Sequence, residues 1–143
     1  MILIDTNLLL YASIGGTAHH ERAKHWLDEQ FKRESRIGLP WHSLLGFARI
    51  ASNTRAHTRA ASVEEAWLQV RGWLSASNVW IPNPTERHAD VLNEIIVSAR
   101  LATQDVMDAH LAALAIEHGL ILCSADRDFA RYPALRWFNP LAV

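Results

Sequence analysis

Met1-Ile2-Leu3-Ile4-Asp5-Thr6-Asn7-Leu8-Leu9-Leu10-Tyr11 opens the chain and sets its fold class. Ile2, Leu3 and Ile4 form a short apolar run with β-branched members, the pattern of a strand buried on both faces, although periodicity alone leaves a helix open. Asp5 ends the run with a carboxylate. Thr6 and Asn7 can then cap a helix begun by Leu8, Leu9, Leu10 and Tyr11. The carboxyl end of a central strand is where open α/β sheets place their ligands. Asp5 is therefore either a helix-start residue or the first member of a site, depending on whether other carboxylates arrive beside it.

The remaining chain alternates strand and helix patterns. His20, Ala23, Trp26, Leu27 and Phe31 recur at helical spacing. Ile37 to Pro40 reads as a second strand, and Trp41 to about Ser52 as a helix with Leu44, Phe47, Ala48 and Ala51 on one face. Ser62 and Glu65 have the spacing of a capping box, opening a helix to about Ala76 with Val63, Ala66, Trp67, Val70 and Leu74 as its apolar stripe. Val79 to Ile81 predicts a third strand, and Thr85 caps a helix bearing His88, Val91, Leu92, Ile95 and Ile96. An alanine-rich helix from about Asp105 to His118 ends at Gly119, a good C-terminal cap. Leu120 to Cys123 and Leu135 to Phe138 supply the fourth and fifth strands. Alternation of this kind implies right-handed crossovers and a parallel sheet. The expectation is one α/β domain over residues 1–143, with a central parallel sheet of four to five strands flanked by helices.

Composition sets the outer limits. Half of the 143 residues are hydrophobic and a fifth are charged, as in an ordinary globular domain. No apolar run approaches the ~18 residues of a membrane span, and the start lacks the features of a signal peptide. Cys123 is the only cysteine and lies in an apolar run, so no disulfide framework is expected and the expected compartment is the cytoplasm. The net charge of −1 excludes a polycationic nucleic-acid coat. The cations are nonetheless mostly arginine, which suits bidentate phosphate contacts, although a GC-rich genome produces the same bias. Arg49, Arg55 and Arg59 are the candidates for phosphate contacts, with solvated surface as the competing reading.

Several acids fall at strand or helix ends. Asp126 and Asp128 follow strand four, and Asp105 and Asp108 open the alanine-rich helix. Each has a local explanation as a cap, a first-turn acid or a turn residue. If strands one and four are neighbours, however, Asp5 joins them at one edge, with no lysine in any of these motifs. Crowded carboxylates repel unless a cation sits among them. Oxygen ligands without cysteine or an ordered histidine set favour Mg²⁺ or Mn²⁺, which can activate water against a phosphodiester. Asn7 and Ser124 are placed to orient ligands or water from behind.

These residues resemble the PIN-domain family, and in particular the VapC-type toxins of bacterial toxin–antitoxin pairs. The resemblance rests on Ile4-Asp5-Thr6-Asn7, on His20, Ala23, Trp26 and Leu27, on Asp108-Ala109-His110-Leu111-Ala112-Ala113-Leu114-Ala115, on Ser124, Asp126, Asp128 and Phe129, and on Phe138-Asn139-Pro140. It covers nearly the whole chain. It implies a metal-dependent endoribonuclease with Asp5, Asp108 and Asp126 as metal-site carboxylates and Asp128 as a fourth catalytic acid. It also implies a homodimer, an RNA substrate drawn from tRNA or rRNA, and a cognate antitoxin. One position departs from the pattern. The family usually carries a Glu three residues before the Arg that matches Arg49, and here that position is Gly46. His42, one turn earlier, and Asp105 are the candidates to replace it. Two rival readings follow: a PIN-like module that binds RNA or a partner without cutting, and a haloacid-dehalogenase-type phosphatase. The second wants an acid at Asn7 and a late lysine, and the chain has only Lys24 and Lys32.

Overall fold

The computed structural model describes residues 1–33, 35–55 and 60–142. Its strands are β1 (Ile2–Ile4), β2 (Ile37–Gly38), β3 (Val79–Trp80), β4 (Ile121–Cys123) and β5 (Trp137–Phe138). All pairings are parallel, in the order β3-β2-β1-β4-β5, with Ile2 opposite both Ile37 and Ile121. The expected parallel α/β domain is the one observed, and β1 and β4 are neighbours.

The helices are α1 (Thr6–Ser13), α2 (His20–Lys32), α3 (Trp41–Ala51), α4 (Val63–Leu74), α5 (His88–Ala99) and α6 (Val106–His118). They cover both faces of the sheet. Successive strand side chains point to opposite faces, so β1 and β4 each feed two cores. Ile4 and Cys123 pack with Leu8, Leu9, Leu27, Leu44, Phe47 and Val70 on the α1–α4 side. Leu3 and Leu122 pack with Ile95, Leu111, Leu114 and Phe129 on the α5–α6 side. The alanines of α6 are buried, and their small size lets that helix lie close to the sheet. Gly119 ends α6 in the left-handed conformation at φ 66°, which its missing Cβ permits.

Several local expectations are corrected. The cap of α1 is Asp5 rather than Thr6 or Asn7, with the Asp5 carboxylate accepting from Thr6 N at 2.7 Å. Ser62 and Glu65 do form the capping box of α4. Val63 and Trp67, assigned to the buried stripe of α4, are instead exposed, and the Trp67 ring stacks on Trp41 at 6.4 Å. Trp73 takes the buried place, edge-on to Phe47. Thr85 does not cap α5 directly; it binds the carboxylate of Glu117. Among the described residues no helix is long and apolar enough to cross a membrane.

Candidate active site at the carboxyl edge of the sheet

Asp5 leaves β1 where its backbone N–H still donates to Cys123 O on β4, at 3.0 Å, so the β1–β4 ladder carries it to the sheet edge. It is 8% exposed. Its Oδ2 accepts from Ser124 Oγ at 2.7 Å and, more weakly, from Asn7 Nδ2 at 3.4 Å. Asn7 Nδ2 also donates to Ser124 Oγ at 3.1 Å, and Asn7 Oδ1 accepts from Ala125 N at 3.2 Å. Asn7 and Ser124 therefore bind the end of β1 to the loop after β4. Ser124 is fully buried and accepts from Asp126 N at 3.0 Å, while Asp126 accepts from Asp128 N at 2.9 Å. The two acids of this loop are thereby ordered on a chain of bonds that starts at Asp5. Asp126 is half-buried and Asp128 exposed.

Asp108, half-buried in the first turn of α6, completes the group. Its pKa is pushed up to about 6 by burial and by the charges of Asp5, Asp126, Asp105 and Asp128. The other four acids singled out in the sequence thus all act on Asp108. Burial also raises Asp5, against the lowering effects of Ser124, Thr6 N and His42 and with a smaller push from Asp126. His42, on α3, is accordingly within electrostatic reach of Asp5.

Asp105 stands apart from the others. One oxygen pairs with Arg131 at 3.0 Å, and the other accepts from Ala102 N at 3.0 Å. No lysine enters these motifs, but an arginine from the segment after β4 reaches Asp105 and compensates its charge. Among the described residues Asp5, Asp108, Asp126 and Asp128 have no such ion pair. Nor, among the described residues, do any three His, Cys, Asp or Glu side chains stand close enough together to hold a metal ion as they are placed.

Gly46 of α3 lies directly against Thr6 of α1. A Cβ at this position would stand 2.7 Å from Thr6 Oγ1, which itself donates to Ser43 O at 3.1 Å. A side chain at this position would have to displace the Thr6 side chain of α1. Arg49 and Arg55 are exposed, Arg49 about 10 Å farther along the helix axis than His42. Arg59 lies outside the described residues, as does His57. The sequence reading missed the ring chain His88–His110 and its anchor Glu117; the one available signal was a histidine two residues after Asp108. Burial lowers the His110 pKa, helped by His88 and His42.

With this geometry in view, similarity to known proteins becomes informative. The PIN domain model matches residues 2–135. The chain belongs to the PIN-domain family. Within that family it groups with the VapC proteins. It is 39% identical to Ribonuclease VapC37 of Mycobacterium tuberculosis, covering 100% of this chain and 99% of the relative. It is 38% identical to Ribonuclease VapC33 of the same species, covering 99% of each. Among solved structures, VapC20 of Mycobacterium tuberculosis, described as a Sarcin-Ricin loop cleaving toxin, superposes with TM-score 0.69 at 17% identity, over 93% of this chain and 95% of that one. The VapBC2 structure of Rickettsia felis, bound to a promoter DNA fragment, gives 0.66 at 20% identity, over 97% and 98%. At these identities the structural matches establish the PIN fold.

Proposed function

We propose that this PIN-domain chain is a metal-dependent endoribonuclease, the toxin of a toxin–antitoxin pair. The observation that carries the reading is Asp108, half-buried at the end of the sheet where Asp5 and Asp126 also lie, with its pKa raised to about 6 first by burial and then by the charges of Asp5, Asp126, Asp105 and Asp128. A half-buried acid surrounded by acids is costly unless a cation shares the space. The donor set, oxygen throughout and dominated by carboxylates, fits Mg²⁺ or Mn²⁺. The ribonuclease names of relatives matched over their full length support the same direction.

Asp5, Asp108 and Asp126 would hold the ion, with Asp128 as a fourth acid at the exposed rim. When bound, the cation would supply activation of water and stabilisation of charge on the phosphodiester being hydrolysed. Ser124 and Asn7 keep the Asp5 carboxylate facing one way, so little reorientation accompanies binding. His42 supports Asp5 from α3. Arg49 and Arg55 are offered as contacts to flanking phosphates of tRNA or rRNA. The same reading includes a homodimer, a cognate antitoxin and a cytoplasmic setting. Neighbouring folds include a structure described as a toxin-antitoxin complex from Klebsiella pneumoniae, which supports the antitoxin partner.

The second reading, a module that binds RNA without cutting it, is favoured by Gly46, which supplies no carboxylate where the family usually has one. The phosphatase reading finds no support, because Lys24 and Lys32 are both paired with acids of α2. One experiment separates these readings. The purified, folded, antitoxin-free chain is incubated with a mixed tRNA and rRNA pool, with Mg²⁺ or Mn²⁺ and then with a chelator. Cleavage that the chelator abolishes is expected; intact RNA under all conditions overturns the nuclease reading.

A further inference from the structure

The sheet face that carries α1–α4 is left open along β5. This strand lies at the edge of the sheet, and its Phe138 stands level with Cys123 of β4. Residues level with one another in a parallel pair point to the same face, so Phe138 faces the side of Cys123 and α2. It is 51% exposed. Across from it, α2 and its C-terminal cap present Trp26, Gln30 and Arg33 at helical spacing. Between the two lies a groove of about 750 Å³, floored by Ile2 and Ile121, both only half-buried. The chain after β5 crosses to α2 at the end nearer Phe138, where Leu141 is buried and Ala142 O accepts from Arg22 at 3.4 Å.

The charge in this groove is of one sign. Arg33 and Arg136 line it, and among the described residues no Asp or Glu does. A smaller hollow of about 150 Å³ shares Ile2, Gln30 and Arg33 with it and adds Arg36. Arg36 is held over the Trp80 ring at 4.7 Å, and Arg136 donates to Gly119 O, so both guanidinium groups are fixed with N–H groups to spare. None of the three arginines forms an ion pair with a described residue. Glu29 of α2 is held by Lys32 at 3.3 Å, and Glu34 lies outside the described residues. Arg36 and Arg136 directly precede β2 and β5, at the amino ends of the strands, whereas Asp5 and Asp126 follow the carboxyl ends of β1 and β4. The molecule is therefore polarised along its strands, although its net charge is only −1.

We propose that this groove binds single-stranded RNA at a distance from the carboxylates, with bases stacked on Phe138 and Trp26 and phosphates held by Arg33, Arg36 and Arg136. Grooves that take single strands without reading their sequence combine cations with aromatic faces in this way. Arg136 and Phe138 are two residues apart on one face, about 7 Å along the strand, so a phosphate and a base can be met together. An acidic peptide would satisfy the arginines too, but a nucleic acid supplies a flat base beside each charge. The proposal shares with the nuclease reading only that the ligand is RNA.

The full chain is titrated against labelled oligouridine in chelator, which withholds metal from the carboxylates, and binding is followed by fluorescence anisotropy. Phe138→Ala should weaken binding about tenfold, the loss of one stacked base, and Phe138→Trp should retain it. Arg33→Gln should reduce the slope of log affinity against log salt by about 0.7, one phosphate contact on a single strand. Affinity and slope unchanged in these variants, or no binding by the wild type, overturns the proposal. Oligouridine carrying 4-thiouridine is then crosslinked by ultraviolet light and the attached peptides are identified by mass spectrometry. Crosslinks at Trp26 or Phe138 support the groove, and crosslinks confined to the carboxylate edge overturn it. Polyglutamate that binds with the same losses, where oligouridine does not bind, would assign the groove to an acidic protein and overturn the RNA assignment. With Mg²⁺ present, cleavage of a hairpin RNA is compared with and without a single-stranded flank. Phe138→Ala should slow cleavage of the flanked hairpin about tenfold and leave the bare one unchanged; an equal loss on both overturns the proposal. A wild type that binds oligouridine through Phe138 but cuts no RNA fails the nuclease reading alone and supports the groove.

Discussion

The Thr6 hydroxyl fills the space into which any side chain at Gly46 would have to grow, 2.7 Å from the position of its Cβ. This close approach of α1 and α3 fixes the start of α1, where Asp5 is the cap, against the start of α3, which carries His42.

Gly46→Ala should therefore lower the melting temperature. Alanine in a helix interior gains about 1 kcal/mol over glycine, but overpacking costs about 1–3 kcal/mol. In a Thr6→Ala background the hydroxyl is gone, and the same substitution should become neutral or stabilising. Additive losses in the double mutant, measured by denaturant melts, would show that the contact is not the cause.

Asp5→Asn and Asp108→Asn should each reduce RNA cleavage by more than the ~10–100-fold typical of losing a supporting group at a metal site. Circular dichroism should show the fold retained. Full growth arrest on expression of either variant would remove that residue from the site.

Asp108 also predicts a pH dependence. Its folded pKa of about 6 lies above the ordinary 3.8, so the folded chain holds the extra proton between these values. The stability from this proton is fully present below the lower value and is lost as pH rises through about 6. In chelator, the melting-temperature advantage of Asp108→Asn over the wild type should accordingly grow from acid to neutral pH. Mn²⁺ affinity, measured by calorimetry, should rise over the same interval as Asp108 ionises. A difference between the two proteins that does not vary with pH would contradict both expectations.

Ser124→Ala removes a buried hydroxyl that bonds Asp5, Asn7 and Asp126. A loss of about 1–3 kcal/mol of stability is expected, because buried partners are left unsatisfied. Metal affinity should fall with it, since Asp5 loses its orientation. Unchanged affinity would confine Ser124 to the fold.

Cys123 is buried in β4, and burial pushes its thiol up to about 12. A thiol reacts as the thiolate, so the native chain should resist alkylation by iodoacetamide at mildly alkaline pH and react quickly once denatured. Rapid labelling of the native protein would mean that β4 opens.

The sequence by itself determined the alternation of strands and helices, the parallel sheet and the carboxylates at the ends of β1 and β4. Those features are written in local periodicity and in caps that act over a few residues, as Ser62 and Glu65 do for α4. Burial on a given face was less legible: Val63 and Trp67 satisfy the helical period of α4 yet lie exposed. Tertiary structure alone decided that Asp105 answers to Arg131, that Thr6 closes the space beside Gly46, and that Glu117, His88 and His110 join into one chain. The partners in each case come from separate elements or opposite ends of a helix. Crossover connections and helix packing bring them together, and no spacing along the chain records which side chains will meet.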